Sequence, residues 1–144
     1  MASVFDVAAY ILEKQPPLTH MKLQKLVYYS QAWSLVWDEE PIFDEPIEAW
    51  INGPVVRSLY AQLRQLFKVR LADLTRGKLD NLTPPQCETV DAVLDTYGPK
   101  SSQWLSDLTH MELPWKEARK GLSANERGTR EISHAIMAEY YGSL

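Results

Sequence analysis

The sequence predicts a mainly α fold: a compact bundle of about six to seven helices with a short β-hairpin inserted after the second helix. Three observations carry that expectation. Apolar residues recur at helical spacing over most of the chain. Capping residues and prolines punctuate the pattern where helices should begin and end. Between Asp38 and Pro54 the pattern lapses, and Pro41, Pro46 and Pro54 exclude a helix across that stretch.

The first helix is capped by Ser3, with Asp6 in the reciprocal position of a capping box. Val4, Ala8, Ile11 and Leu12 form its apolar face, and Gln15-Pro16-Pro17 ends it. The second helix begins at Thr19 and runs to about Trp37. Leu23, Leu26, Val27, Ser30, Trp33 and Trp37 make its stripe, with Lys22, Lys25 and Tyr29 on another side. Ile42-Phe43 and Ile47–Ile51 read as extended, joined by a turn at Asp44-Glu45-Pro46, and Asn52-Gly53 is turn chemistry. Val56, Leu59, Tyr60, Leu63, Leu66 and Phe67 mark a third helix, with Pro54 at its start. Residues 68–81 read as a loop. Thr83 and Gln86 frame a capping box for a fourth helix, whose buried face is Cys87, Val90, Val93, Leu94 and Tyr97. Ser101 or Ser102 caps a fifth, carrying Leu105 and Leu108, and Pro114-Trp115 opens a short sixth. The last is expected from Thr129 to Tyr141, with Ile132, Ala135, Ile136 and Tyr140 inward and Gly142 as its stop. Leu18–Leu23 (LTHMKL) and Leu108–Leu113 (LTHMEL) echo one another, too briefly to define a repeat.

The 144 residues suit one domain, 1–144, able to fold without disulfide or metal. With 45% hydrophobic and 24% charged residues the chain resembles globular proteins and departs from disordered or fibrous ones. Its longest apolar run, Val7–Leu12, is six residues, against the ~20 of a membrane helix. No basic segment precedes an apolar one in the manner of a secretory signal, and the single Cys87 can form no internal disulfide. A cytoplasmic protein without membrane association is expected.

Net charge is -4, so nucleic acid is an unlikely partner, because phosphate neutralisation supplies most of such a binder's affinity. The charge is uneven. Asp38 through Glu48 holds six acids and no base, while Arg57 through Lys78 holds six bases and one acid. These segments read as solvated faces, as a polarised surface that steers a partner protein, or as a local basic patch.

Catalytic chemistry finds no coherent set. His20, His110 and His134 lack metal-ligand spacing, and a structural role at a helix end suits the first two. Cys87 lies on an apolar stripe and reads as inert. There is no Gly-x-Ser-x-Gly elbow and no Gly-rich phosphate loop. The clustered carboxylates look exposed, with no cause for the raised pKa of a general acid. No catalytic residue, metal or cofactor is expected, and the balance favours a binding protein over an enzyme.

Three stretches then carry a resemblance: Leu18–Trp33 (LTHMKLQKLVYYSQAW), Phe43–Val56 (FDEPIEAWINGPVV), and Leu105–His110 (LSDLTH) followed by Pro114–Arg119 (PWKEAR). In this order and spacing they resemble the Panacea, or SocA-like, antitoxin domain, long labelled a phage-associated protein. The resemblance implies a mostly helical domain of bacterial and phage toxin–antitoxin operons. It implies an antitoxin that neutralises a cognate toxin encoded nearby by direct protein–protein binding. One branch of the family hands its toxin to a protease, so a proteolytic adaptor is the alternative; a DNA-binding autoregulator is another, weakly motivated by Arg57, Arg64, Lys68 and Arg70. The family contributes no catalytic residues. Candidate partner-binding residues are those whose motif positions packing leaves unexplained: Lys22, Gln24, Lys25 and Tyr29, off the expected core stripe, and Trp50, Asn52 and Arg57, from the hairpin and the turn after it.

Overall fold

A computed structural model describes residues 1–144. Seven α-helices and two small antiparallel strand pairs form one mainly helical body. Helix α1 (Val4–Lys14) starts at the expected capping box. Ser3 Oγ accepts from the Asp6 amide at 3.3 Å and Asp6 Oδ2 from the Ser3 amide at 2.8 Å. Asp6 also accepts from the Lys78 amide and the Asn81 side chain, tying the 68–81 segment beneath α1. Burial pushes its carboxyl up, but these hydrogen bonds prevail and hold it below the usual range.

Strand β1 (Leu18–Thr19) leads into α2 (His20–Trp37), which Thr19 caps by accepting from the Lys22 amide. Helices α1, α4, α5 and α7 and strand β3, defined below, all pack against α2. Thirteen of its 18 residues are buried, so no single apolar stripe exists. The expected division of this helix is therefore corrected. Gln24, Lys25 and Tyr29 are inside, whereas Trp33 is half-buried and Trp37 51% exposed.

Two glutamines on α2 make the adjoining irregular backbone tolerable in the interior. Gln31 Oε1 accepts from the Ile42 amide at 2.8 Å while its Nε2 donates to the Phe43 carbonyl at 2.8 Å. Gln24 Oε1 accepts from the Val56 amide at 3.0 Å and its Nε2 faces the Val56 carbonyl and His20 Nε2. Ile42 and Phe43 are thus paired to a side chain and form no strand, which corrects the expected hairpin.

The hairpin lies one step later. Strand β2 (Ile47–Trp50) pairs with β3 (Gly53–Val56) across Ile51-Asn52, with Ala49 opposite Pro54. Pro54 therefore sits in a strand, not at a helix start, and Gly53 takes the positive φ of +123°. The other edge of β2 is covered by residues 130–132. The Ala49 amide donates to the Arg130 carbonyl and the Ile132 amide to the Ile47 carbonyl, both at 2.8 Å. That pairing is why the last helix, α7 (His134–Gly142), starts five residues later than expected, at a Ser133 cap. Its buried residues are Met137 and Tyr141, and Ala135 is exposed.

Helix α3 (Arg57–Leu63) ends before Leu66 and Phe67, both exposed, because the chain turns into β4 (Lys68–Val69), antiparallel to β1. Two short 3-10 turns occupy the predicted loop. Helix α4 (Pro84–Tyr97) carries its expected capping box, although Cys87 and Tyr97 are only half-buried. Helices α5 (Ser102–Met111), capped by Ser101, and α6 (Leu113–Ala118) complete the body.

Candidate functional site

The hairpin tip Trp50–Gly53 is a two-residue turn tied from behind to α5 and α6. Trp115 Nε1 donates to the Trp50 carbonyl at 2.8 Å, and Ser106 Oγ to the Asn52 carbonyl at 2.9 Å. Arg119, only 5% exposed, donates to the Ala49, Ser123 and Glu126 carbonyls and lies over the Trp115 ring. One buried guanidinium thereby joins the hairpin to the loop after α6, a use suited to its planar fork. Trp115 stacks in turn on His110 at 4.1 Å.

Two cavities adjoin at this tip, sharing Met21 and Asn52 as common walls. The first, about 450 Å³, is lined by Trp50, Ile51, Arg57, Tyr60 and residues 127–129. Trp50 and Tyr60 meet edge to face at 4.8 Å, and the Arg57 guanidinium lies 5.6 Å from the Trp50 ring. Glu48 organises this wall: its carboxylate accepts from Trp50 Nε1 at 2.8 Å and from Arg57 Nη2 at 2.8 Å. Arg57 itself is largely exposed, so the pair aligns the side chain more than it stabilises the fold.

The second cavity, about 390 Å³, is mainly polar. Lys25, Ser102, Gln103, Ser106, Asp107 and His110 line it. Lys25 is 1% exposed, and its Nζ has no hydrogen-bond partner. Burial pushes that ammonium down to about 8. His110 Nε2 is likewise buried and unpartnered. Burial first, and then the Lys25 charge, pushes the His110 imidazole down; Arg119 adds to this, while Asp107 and the Asn52 backbone act against it. His20, stacked on Tyr60 and touching the Gln24 amide, is pushed down to about 4 by burial and by the Lys25 charge. His20 contacts the Gln24 side chain, which corrects the backbone role expected of it, while His110, in the last turn of α5, meets the Asn52 backbone as a helix-end histidine should. The two LTHM segments bring one imidazole each within reach of Lys25.

Of the seven candidate residues, four meet here: Trp50, Asn52 and Arg57 at the surface, and Lys25 beneath them. The other three are engaged elsewhere. Lys22 Nζ donates to the Gly98 carbonyl at 2.6 Å, closing the C-terminal end of α4. Gln24 is committed to Val56. Tyr29 stacks on Tyr97 at 4.1 Å and donates to Glu112 Oε1 at 2.7 Å, beside a second donor, Tyr141, at 2.8 Å. Burial raises the Glu112 carboxyl, and the two tyrosine hydroxyls pull it back in part. Tyr60, Ser106, His110 and Arg127 belong to the face but were not singled out by sequence. Ser106 and His110 nevertheless lie within the motif stretch Leu105–His110, and His110 also in the repeated Thr-His pair, whereas Tyr60 and Arg127 carried no such signal.

The chain is thus a mainly helical domain with two adjoining cavities at its hairpin tip. The family model described as "Antitoxin SocA-like, Panacea domain" matches residues 23–116, and the chain belongs to that family. No curated protein and no solved structure matches the chain. The matched span holds Lys25, the hairpin, Arg57 and His110, so most of the concave face lies within it. No helix is long and apolar enough to cross a membrane.

Proposed function

We propose that this chain is the antitoxin of a toxin–antitoxin pair and acts by binding its cognate toxin directly, without catalysis. Membership of the antitoxin family supports the general role. The observation that favours direct binding is the hairpin tip, where Trp50, Asn52 and Arg57 stand at two adjoining cavities on a backbone already tied to α5 and α6. A face ordered in advance loses little conformational entropy on association, and Trp and Arg are frequent interface anchors. Glu48 holds both of them in place through one carboxylate.

Co-expression with the product of the neighbouring toxin gene tests this. Growth should be rescued and the two chains should co-purify. Trp50→Ala should weaken both effects, whereas Leu144→Ala, at an exposed position that lines neither cavity, should not. Rescue without a complex would refute direct neutralisation. Toxin half-life in the same cells separates occlusion from delivery to a protease: occlusion leaves it unchanged or longer, and an adaptor shortens it.

A further inference from the structure

The second cavity contains a feature that folding alone does not explain. A lysine buried to 1% exposure with no partner on its ammonium is costly, and buried polar groups nearly always have a hydrogen-bonding partner. Packing around Lys25 even makes room for it. Gly53 lacks the Cβ that would lie 2.5 Å from Lys25 Cε and 3.0 Å from Nζ. The unpartnered Nε2 of His110 shares the cavity wall. One flank of α5 (Ser102, Gln103, Ser106, Asp107 and His110) forms the rest of the wall and brings hydroxyl and amide groups to it. The rim side chains Asn52, Gln103 and Asp107 are exposed.

We propose that this cavity is a receptor for a single carboxylate, which reaches Lys25 Nζ past Asn52 and is supplied by an acidic side chain of the toxin. The assignment to a toxin rests on the function proposed above; the carboxylate site does not. One ammonium matches one negative charge. Asp107, held at the rim by Gln103 Nε2 at 2.8 Å, disfavours a doubly charged phosphate. A carboxylate accepts from Nζ with one oxygen, leaving the other for the Asn52 side-chain amide or for His110 in its neutral Nε2–H form. The depressed ammonium regains its ordinary basicity when so paired.

The test is a titration of the full-length chain with N-acetylglutamate α-amide, followed through the 13Cε and 15Nζ signals of Lys25. The neutral glutamine analogue and inorganic phosphate are the comparisons. The carboxylate should give a saturable shift and raise the apparent Lys25 pKa, and the ring signals of His110, which lines the same cavity, should shift with it in the unaltered chain and not in Lys25→Met. Lys25→Gln serves as a second variant should the methionine form aggregate. No shift, an equal shift with the neutral analogue, or tighter binding of phosphate would overturn the site. The toxin complex provides the second measurement: Lys25→Met should weaken it at least tenfold while the chain remains folded. An unchanged affinity would overturn the toxin assignment with the carboxylate site still standing. If the unaltered chain forms no complex, the antitoxin reading fails and the assignment with it, and the titration decides the site alone.

Discussion

Gly53 and Lys25 occupy space that only a glycine and a linear side chain can share: a Cβ on Gly53 would stand 2.5 Å from Lys25 Cε. Gly53 also holds φ at +123°, where other residues are strained. Both effects act in the same direction. Gly53→Ala should destabilise the chain by about 2 kcal/mol or more in urea unfolding. An unchanged unfolding midpoint would show that the hairpin tip is softer than its contacts imply.

Lys25→Met has the opposite expected sign. Exchanging an unpartnered buried ammonium for an apolar chain of similar length should raise stability by about 2 kcal/mol at neutral pH. The pH dependence follows from linkage. Lys25 titrates near 8 in the folded chain and near 10.5 when unfolded, so between these values the unfolded state binds more protons. Its unfavourable contribution is complete below pH 8 and is relieved as pH rises towards 10.5. The gap between wild type and Lys25→Met should therefore narrow over that window. His20 and His110, the imidazoles that feel the Lys25 charge, are both pushed below their ordinary range and so do not titrate in this window. A gap constant from pH 7 to 10 would show that Lys25 is charged and solvated as in free peptide.

His20 governs the acid side. Its imidazole titrates near 4 when folded against 6.5 when unfolded, so stability should fall as pH drops through that interval. His20→Gln, which keeps a polar group beside Gln24, should flatten that part of the profile. Chemical unfolding at pH 7, 5.5 and 4.5 measures it.

Glu112 is a third titrating element, and Tyr29 and Tyr141 both donate to it. Glu112→Ala leaves the Tyr29 hydroxyl without an acceptor, while Tyr141 keeps Tyr28 Oη at 2.9 Å, and should cost about 1–3 kcal/mol. Glu112→Gln retains a carbonyl acceptor and should cost less. Because the native carboxyl is raised, its contribution is complete at acid pH and is lost as pH rises through the folded value. The Gln variant should therefore compare least favourably with wild type near pH 4. A cost that does not vary with pH would place the Glu112 titration in its ordinary range.

Trp50→Ala should weaken toxin binding by about 2 kcal/mol, or some 30-fold, with a smaller loss for Arg57→Ala. Trp50 also packs on Tyr60, so thermal unfolding of the free variant must accompany the affinity. Binding titration of the purified chains supplies the number.

The helices were largely legible because their signals are local. Ser3 with Asp6, Thr19, Thr83 with Gln86, and Ser101 cap the helices that their spacing announces. Misreadings arose where a distant segment completed the local chemistry. Ile42 and Phe43 resemble a strand, yet their hydrogen bonds go to Gln31. Residues 130–132 fit a helical pattern, yet the open edge of β2 captures them. Of the candidate face, Trp50, Asn52 and Arg57 were accessible to sequence reasoning because they are contiguous with a turn. Tyr60 and His110 were not, since only the packing of α3 and α5 against the hairpin brings them there.

What the sequence determined by itself is the helical class, most of the boundaries and the turn at Asn52-Gly53, since each depends on interactions within a few residues. The tertiary structure alone decided that α2 has no free side. Periodicity detects one buried face, but a helix enclosed by α1, α4, α5, α7 and β3 is buried on every face. Lys25 therefore lies inside, uncompensated, because its surroundings come from the hairpin tip and α5, whose meeting with α2 no local pattern encodes.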